Sequence, residues 1–313
     1  MTQAGLWIGV GIFQTILLLF LAPLFSGFSR LMRAKMHSRK GPPLLQNYYD
    51  LVKLMKRQEV VSYQAGWIFR VTPVVSMAAL LLIAMIIPFL SIHAPLQMAG
   101  DLILIIYLFV WPRIMFSLAG IESGSPFGGI GARRELLISS LVEPILLLVV
   151  FVMALLAGSL NLGLITSLVA TGTFPLSMAF WLGLISFAFA TFVEMGKLPF
   201  DIGEAEQELQ EGPLAEYSGH SLAILKWSIY LKQLVLVAFF IALFLPYGSA
   251  IHLTPVGILI AILTFLLKAF VFYFIAAIIE NAMARTRFLK APAATLLALA
   301  AAVLSFVFYL ANV

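Results

Sequence analysis

Apolar residues in this sequence come in long runs separated by short polar connections. Eight runs, at roughly 5–29, 68–92, 101–120, 136–158, 174–196, 222–247, 253–280 and 291–312, reach the ~20 residues a helix needs to cross a bilayer core. None alternates polar and apolar residues with a period of two, so no strand is predicted, and there is no internal repeat or low-complexity tail. The expected fold is all-α: a single integral membrane domain over 1–313, polytopic, with eight transmembrane helices. The first run is expected to persist as a helix rather than serve as a secretory signal. No Lys or Arg precedes Arg30, and no small-residue cleavage site follows the run.

The connections differ in charge. The one over 30–70 carries Arg30, Arg33, Lys35, Arg39, Lys40, Lys53, Lys56, Arg57 and Arg70. Arg133 and Arg134 follow the third run, which holds Arg113 within it. Lys197 and Lys226 flank the connection after the fifth, and Arg285, Arg287 and Lys290 precede the last. The alternate connections, near 93–100, 159–173 and 248–254, hold no Lys or Arg. The positive-inside rule then predicts both termini outside, and cytoplasmic loops at about 30–67, 121–135, 197–221 and 281–290. Within the first loop, Leu51, Leu54 and Met55 recur at helical spacing beside Lys53, Lys56 and Arg57, as in an amphipathic helix resting in the interface.

Composition narrows the chemistry. Hydrophobic residues make up 62% of the 313 positions and charged ones only 11%, too apolar for a soluble globule. The net charge of +5 follows the connections and is better explained by topology than by nucleic acid. With no cysteine, thiolate-held iron–sulfur clusters, Cys-type zinc sites and disulfides are excluded. The four histidines, His37, His93, His220 and His252, are scattered, and no mid-run pair is available for a haem. A protein of this composition that works with electrons does so without holding its own metal.

Seven of the fourteen acidic residues crowd into 194–219: Glu194, Asp201, Glu204, Glu206, Glu208, Glu211 and Glu216. Asp201 and Glu204 have capping-box spacing, and Gly212-Pro213 reads as a stop. A short helix between them would align Glu204, Glu208 and Glu211 on one face. Close carboxylates raise one another's pKa and can hold and pass protons near neutral pH. A solvated acidic loop is the plain alternative, although acidic residues contribute little to topology.

Ionisable residues inside the runs are few. A charge at the helix centre costs about 2.5–3.5 kcal/mol on insertion scales, so such residues usually face protein or water. Glu143, beside Pro144, and Lys268 lie too deep to snorkel and are expected to line a polar path. Lys232 and Glu280 lie nearer helix ends, where snorkelling is an equal reading. The glycines of Gly124–Glu135 follow no strand and precede no Gly-Lys-Ser/Thr, so they predict a tight turn into the fourth helix rather than a phosphate loop. These features describe a machine that moves protons or ions, with an acidic antechamber on one face.

Several stretches together resemble the NADH dehydrogenase subunit 1 family of respiratory complex I. Arg39-Lys40-Gly41-Pro42 with Gln46, Asp50 and Lys53-Leu54 is similar to that family's first loop. Gly131-Ala132, Arg134 and Glu143 are similar to its fourth helix. Glu194, Pro199-Phe200-Asp201, Glu204, Glu206, Glu208-Leu209, Gly212 and Glu216-Tyr217 are similar to its acidic loop, and the resemblance spans nearly the whole chain. The short Pro43-Leu44-Leu45 segment, Lys197, Gln210–Leu214 and Gly124-Ser125-Pro126-Phe127 depart from the complex I pattern. They look instead like the formate hydrogenlyase and hydrogenase-4 membrane subunits, the component C type in particular.

The resemblance implies an inner-membrane subunit that docks a nickel–iron hydrogenase large subunit, an iron–sulfur small subunit and ferredoxin-like subunits on its cytoplasmic side. Antiporter-like subunits, and a formate dehydrogenase in some assemblies, would stand alongside. The nickel–iron centre and iron–sulfur clusters belong to those partners, with no cofactor here. Proton-relay candidates are Glu143, Glu194, Asp201, Glu204, Glu206, Glu208, Glu211, Glu216 and Lys268. Docking candidates are Arg33, Arg39, Lys40, Asp50, Lys53, Arg133 and Arg134. Two rivals remain: a quinone-site subunit of complex I, which the short first loop disfavours, and a stand-alone ion transporter, whose paired Gly/Pro-broken helices the chain lacks.

Overall fold

The computed structural model describes residues 3–311, apart from 64, 97–99, 204–205, 252 and 286–290. Each of the eight apolar runs is a helix: α1 (Gln3–Met36), α3 (Trp67–Ile86), α4 (Leu102–Glu122), α5 (Pro126–Ala157), α7 (Met178–Glu194), α9 (Gly219–Phe244), α10 (Pro255–Ala282) and α11 (Ala291–Leu310). Between them lie α2 (Gln46–Met55), α6 (Leu162–Ala170) and α8 (Glu206–Leu209). No strand occurs among the described residues.

Seven of the eight are long and apolar enough to cross a membrane; α7, at 17 residues, is the exception. At 1.5 Å per residue it spans about 26 Å, short of a hydrocarbon core of about 30 Å.

The helices begin where the sequence supplies caps. The Asp101 side chain accepts from Ile103 N at 2.8 Å to start α4, and Thr254 accepts from Gly257 N at 3.1 Å to start α10. Ser125 followed by Pro126 starts α5, and Gly158, at φ 68°, ends it in the left-handed region a glycine tolerates.

Two boundaries differ from expectation. The helix α5 begins ten residues before the apolar run, so Gly128, Gly131, Arg133 and Arg134 stand on a helix rather than in a turn. Two glycines are there for close approach: a Cβ on Gly131 would lie 2.7 Å from Gly203 O, and one on Gly120 would lie 2.8 Å from Pro213. In addition, α1 runs on to Met36 and carries Arg30, Arg33 and Lys35 out of the expected loop.

The two ends of the bundle are chemically distinct, as the charge of the connections predicts. At one end the cation-free connections bond to each other: Ile92 N to Ala250 O at 3.2 Å, Leu162 N to Gly100 O at 2.7 Å. The first turns of α1 reach this end through Gln14, which donates to Ala84 O and Ile87 O. The last turns of α11 reach it through Ser305, which donates to Ala179 O. At the other end the charged connections interlock. Glu59 meets His220 at 2.8 Å, Ser218 bonds both Val60 N and Val60 O, and Glu122 accepts from Phe69 N at 2.6 Å at the start of α3.

Helix α2 lies along α1 and packs through Leu51, as expected, but its second buried residue is Asn47 and not Met55, which is exposed. Asn47 donates to Pro23 O at 3.1 Å and accepts from Arg30 at 2.7 Å. The carbonyl of Leu44 lies so close to Gly27 that a side chain there would collide.

Candidate functional site: a buried charge centre beneath the acidic loop

Four membrane helices each place one charge at a single interior point. Arg113 stands near the middle of α4, 5% exposed, immediately after Pro112. Its guanidinium bonds Glu143 of α5 through Nη1 and Glu194, the last residue of α7, through Nη2. Lys232, near the middle of α9, lies 3.5 Å from the same Glu194 oxygen. Two cations face two carboxylates, so the centre is neutral as a whole. Such pairing lets charges stay buried where an isolated one would not.

Proline stands beside two of the four, at Pro112-Arg113 and Glu143-Pro144. Each proline removes an N–H from its helix and frees a carbonyl one turn back, adding polarity next to the charges. Around the centre, Arg113 Nε, Ser76 Oγ, Ser117 Oγ and Thr191 Oγ1 are buried and have no hydrogen-bond partner among the described residues. Ser117 and Thr191 lie one turn from Arg113 and Glu194 respectively, so the unfilled atoms follow the ion pairs along α4 and α7. Buried polar atoms of this kind are ordinarily satisfied by ordered water.

The length of α7 now has a reason. The helix stops at the charge centre, and the chain from Met195 to Gly203 continues without helix inside the bundle. Met195, Phe200 and Ile202 are buried, and Gln233 donates to Met195 O at 2.9 Å. Irregular backbone at membrane depth is tolerated where protein encloses it or a polar cavity adjoins it. Both conditions hold: Arg113, Glu135, Glu194, Lys232 and Asp201 line a cavity of about 690 Å³, open mouth included.

Three carboxylates of the acidic loop are held apart by ion pairs: Asp201 meets Arg285 at 2.7 Å, Glu208 meets Arg134 at 2.8 Å, and Glu211 meets Lys226 at 3.3 Å. Each of these three is matched by a cation from a different part of the chain. Mutual elevation of pKa is therefore absent at Glu208, whose carboxyl Arg134 holds below the ordinary range.

Nor does one helix run from Asp201 to Gly212. The segment α8 covers only Glu206–Leu209, and Gln210 and Glu211 turn left-handed at φ 49° and 68°, so Glu208 and Glu211 share no helical face. The left-handed Gln210 and Glu211 end α8 ahead of Gly212-Pro213, which opens a 3₁₀ turn over Gly212–Glu216. Glu204 and the Glu206 side chain lie outside the described residues. Glu216 belongs to the 3₁₀ turn, and Tyr217 stacks on Phe69 at 3.9 Å and donates to Phe69 O at 2.8 Å.

Other expectations sort as follows. Lys197 leaves the acidic loop and pairs with Glu280 of α10 at 3.4 Å, while Arg33 reaches the same carboxylate at 3.5 Å. Glu280 and Lys232 are thus interior partners and do not snorkel. Lys268 bonds the carbonyls of Leu245 and Tyr247 at the C-terminal end of α9.

Among the docking candidates, Arg39, Lys40, Lys53 and Arg133 are exposed, and Asp50 lies 3.9 Å from Arg30. Arg113, which charge counting treats only as a topological residue, is the cation that joins Glu143 and Glu194. A lone arginine inside an apolar run carries the signal. Among the described residues no three His, Asp or Glu side chains converge as metal ligands would.

The arrangement is that of a multi-helix membrane protein with a buried charge centre beneath an acidic loop. The NADH dehydrogenase family model matches residues 8–311, and the chain belongs to this family. It is 47% identical to hydrogenase-4 component C of Escherichia coli (strain K12), covering 95% of this chain and 94% of that protein. It is 45% identical to formate hydrogenlyase subunit 4 of the same organism, covering 95% and 97%. Its fold matches a chain of the membrane-bound sulfane sulfur reductase, an archaeal respiratory membrane complex, with TM-score 0.83 and 25% identity over 95% of this chain and 99% of that one.

Proposed function

We propose that this chain is the membrane-anchoring and proton-coupling subunit of a nickel–iron hydrogenase complex of the formate hydrogenlyase type. Eight passes, counting α7, would put both termini in the periplasm of a bacterial inner membrane and the charged end in the cytoplasm. There it would dock the hydrogenase large subunit, the iron–sulfur small subunit and ferredoxin-like subunits, beside antiporter-like membrane subunits. A formate dehydrogenase would supply electrons in some assemblies. The metal centres are expected in those partners.

The observation that carries the reading is the centre of Arg113, Glu143, Glu194 and Lys232, set under a loop whose carboxylates are separately paired. Electron arrival in a docked partner changes the charge above the loop. Exchange of cation partners at Asp201, Glu208 or Glu211 would pass that change to Glu194 through the shared cavity, and a proton would move to restore neutrality. Exposed Arg39, Lys40, Lys53 and Arg133, with Arg33 and Arg134 beside them, offer a basic rim for the docked subunits.

The quinone-site reading is disfavoured by the short Pro43-Leu44-Leu45 segment of the first loop.

The test uses the intact complex in native membranes. The single variant E143Q, which leaves Arg113 and Lys232 paired with Glu194, is expected to keep the hydrogenase bound while hydrogen production or its coupling to proton movement falls. Wild-type turnover and proton movement would remove the relay role. Reversal of Arg133 and Arg134 to Glu is expected to release the hydrogenase; full retention would remove the docking role. A chain that purifies alone from native membranes would favour the transporter.

A further inference from the structure

A second cavity, of about 660 Å³ with its mouth included, opens at the charged end between α1, the Gly196–Asp201 segment and the end of α10. Arg30, Arg33, Lys197 and Arg285 line it, against two carboxylates, Asp201 and Glu280. Asp50 lies 3.9 Å from Arg30 and offsets one further charge, which still leaves the cations in excess.

The donors are only partly used. Lys197, more than nine-tenths buried, donates to Ser29 at 2.6 Å and lies over the Tyr273 ring at 4.9 Å. Arg285 gives Nη2 to Asp201, while its Nε, shut off from solvent, has no partner among the described residues. Arg33 spends Nε on Glu280 and is 40% exposed at the mouth. A net positive cavity with a buried ammonium and guanidinium forks is chemically matched to an oxyanion of tetrahedral shape.

We propose that this cavity binds a phosphate group. Basic pockets between membrane helices at the charged end suit phospholipid headgroups. The outer face of α10 beside this one presents exposed Ile275 and Ile278, along which acyl chains can lie. Free phosphate from solution offers the same oxygens to the same donors, so the source is decided by experiment. The site shares Asp201 with the cavity at the Arg113 centre but takes its cationic donors from other residues, and it stands whether or not that centre relays protons.

The experiment uses the full chain in its purified complex, stripped of lipid in mild detergent. One arm returns it to nanodiscs of phosphatidylglycerol or of phosphatidylcholine and counts retained phospholipid by native mass spectrometry. A second arm titrates inorganic phosphate alone by calorimetry. Wild type and R70Q, an exposed basic position outside the cavity, are expected to retain phosphatidylglycerol over phosphatidylcholine. R33Q/R285Q is expected to bind at least about tenfold more weakly, as the loss of two surface cations implies.

Binding of inorganic phosphate with the same dependence, without lipid retention, identifies the free anion as the occupant. Should R33Q/R285Q fail to fold, R33K/R285K is read instead: weaker retention than wild type supports the site, and equal retention overturns it. Failure of both ligands, or equal binding by wild type and R33Q/R285Q, overturns it. So does binding by the isolated chain that vanishes in the intact complex, because a partner's acidic side chain then fills the cavity.

Discussion

The two interior charge clusters share their chemistry and differ in balance. Around Arg113, each charge comes from a position held on a helix, and two cations meet two carboxylates. Around Glu280, the cations come from a helix's last turns, a loop and a helix-following segment, and they outnumber the carboxylates. Depth explains the difference. Midway along the helices the Arg113 and Glu194 side chains are almost fully buried, so a surplus charge would be poorly screened and the pairing closes on itself. At the charged end water and headgroups reach the site, and a surplus survives that a ligand can use.

The sharpest way to break this contrast is R113M. It leaves Glu143 and Glu194 facing Lys232 alone with Glu194 almost fully buried, and breaking a buried pair costs about 3–5 kcal/mol. The variant is expected to lose most of its folded yield, read by thermal unfolding of the detergent-solubilised complex. E280Q is the matched change in the other cluster. Lys197 keeps Ser29 and the Tyr273 ring, and the cavity admits water, so the expected loss is smaller, about 2 kcal/mol. A loss equal to that of R113M would erase the distinction between the clusters.

A pH measurement sharpens the comparison further. The smallest effect belongs to E208Q. Arg134 lowers the pKa of Glu208, so the pair contributes at neutral pH and fades as the pH falls through that lowered value. On a surface pair the melting difference is small, and it should shrink on acidification.

Some of this was legible without coordinates. Helix positions followed from run length, because a bilayer rewards about 20 apolar residues in a row and a helix satisfies its own backbone. The division into a charged and a cation-free end followed from counting Lys and Arg, and the connections at each end do meet one another. Glu143, Lys232 and Glu280 stood out as charges inside apolar runs, and the acidic loop as a concentration of carboxylates. Pairing was not legible. Asp201 finds Arg285 across 84 positions and Arg113 finds Glu194 across 81, separations over which local periodicity carries no information.

The sequence by itself determined an all-helical membrane chain with one charged end, because burial of apolar length is a local property of each run. Only the tertiary structure decided which charge neutralises which. It separated Glu208 from Glu211, which spacing alone had grouped, ended α7 at Glu194, and left one ion-pair cluster balanced and the other positive. The physical reason is that a charge in a low-dielectric interior is governed by its nearest opposite charge in space, and chain order does not reveal that neighbour.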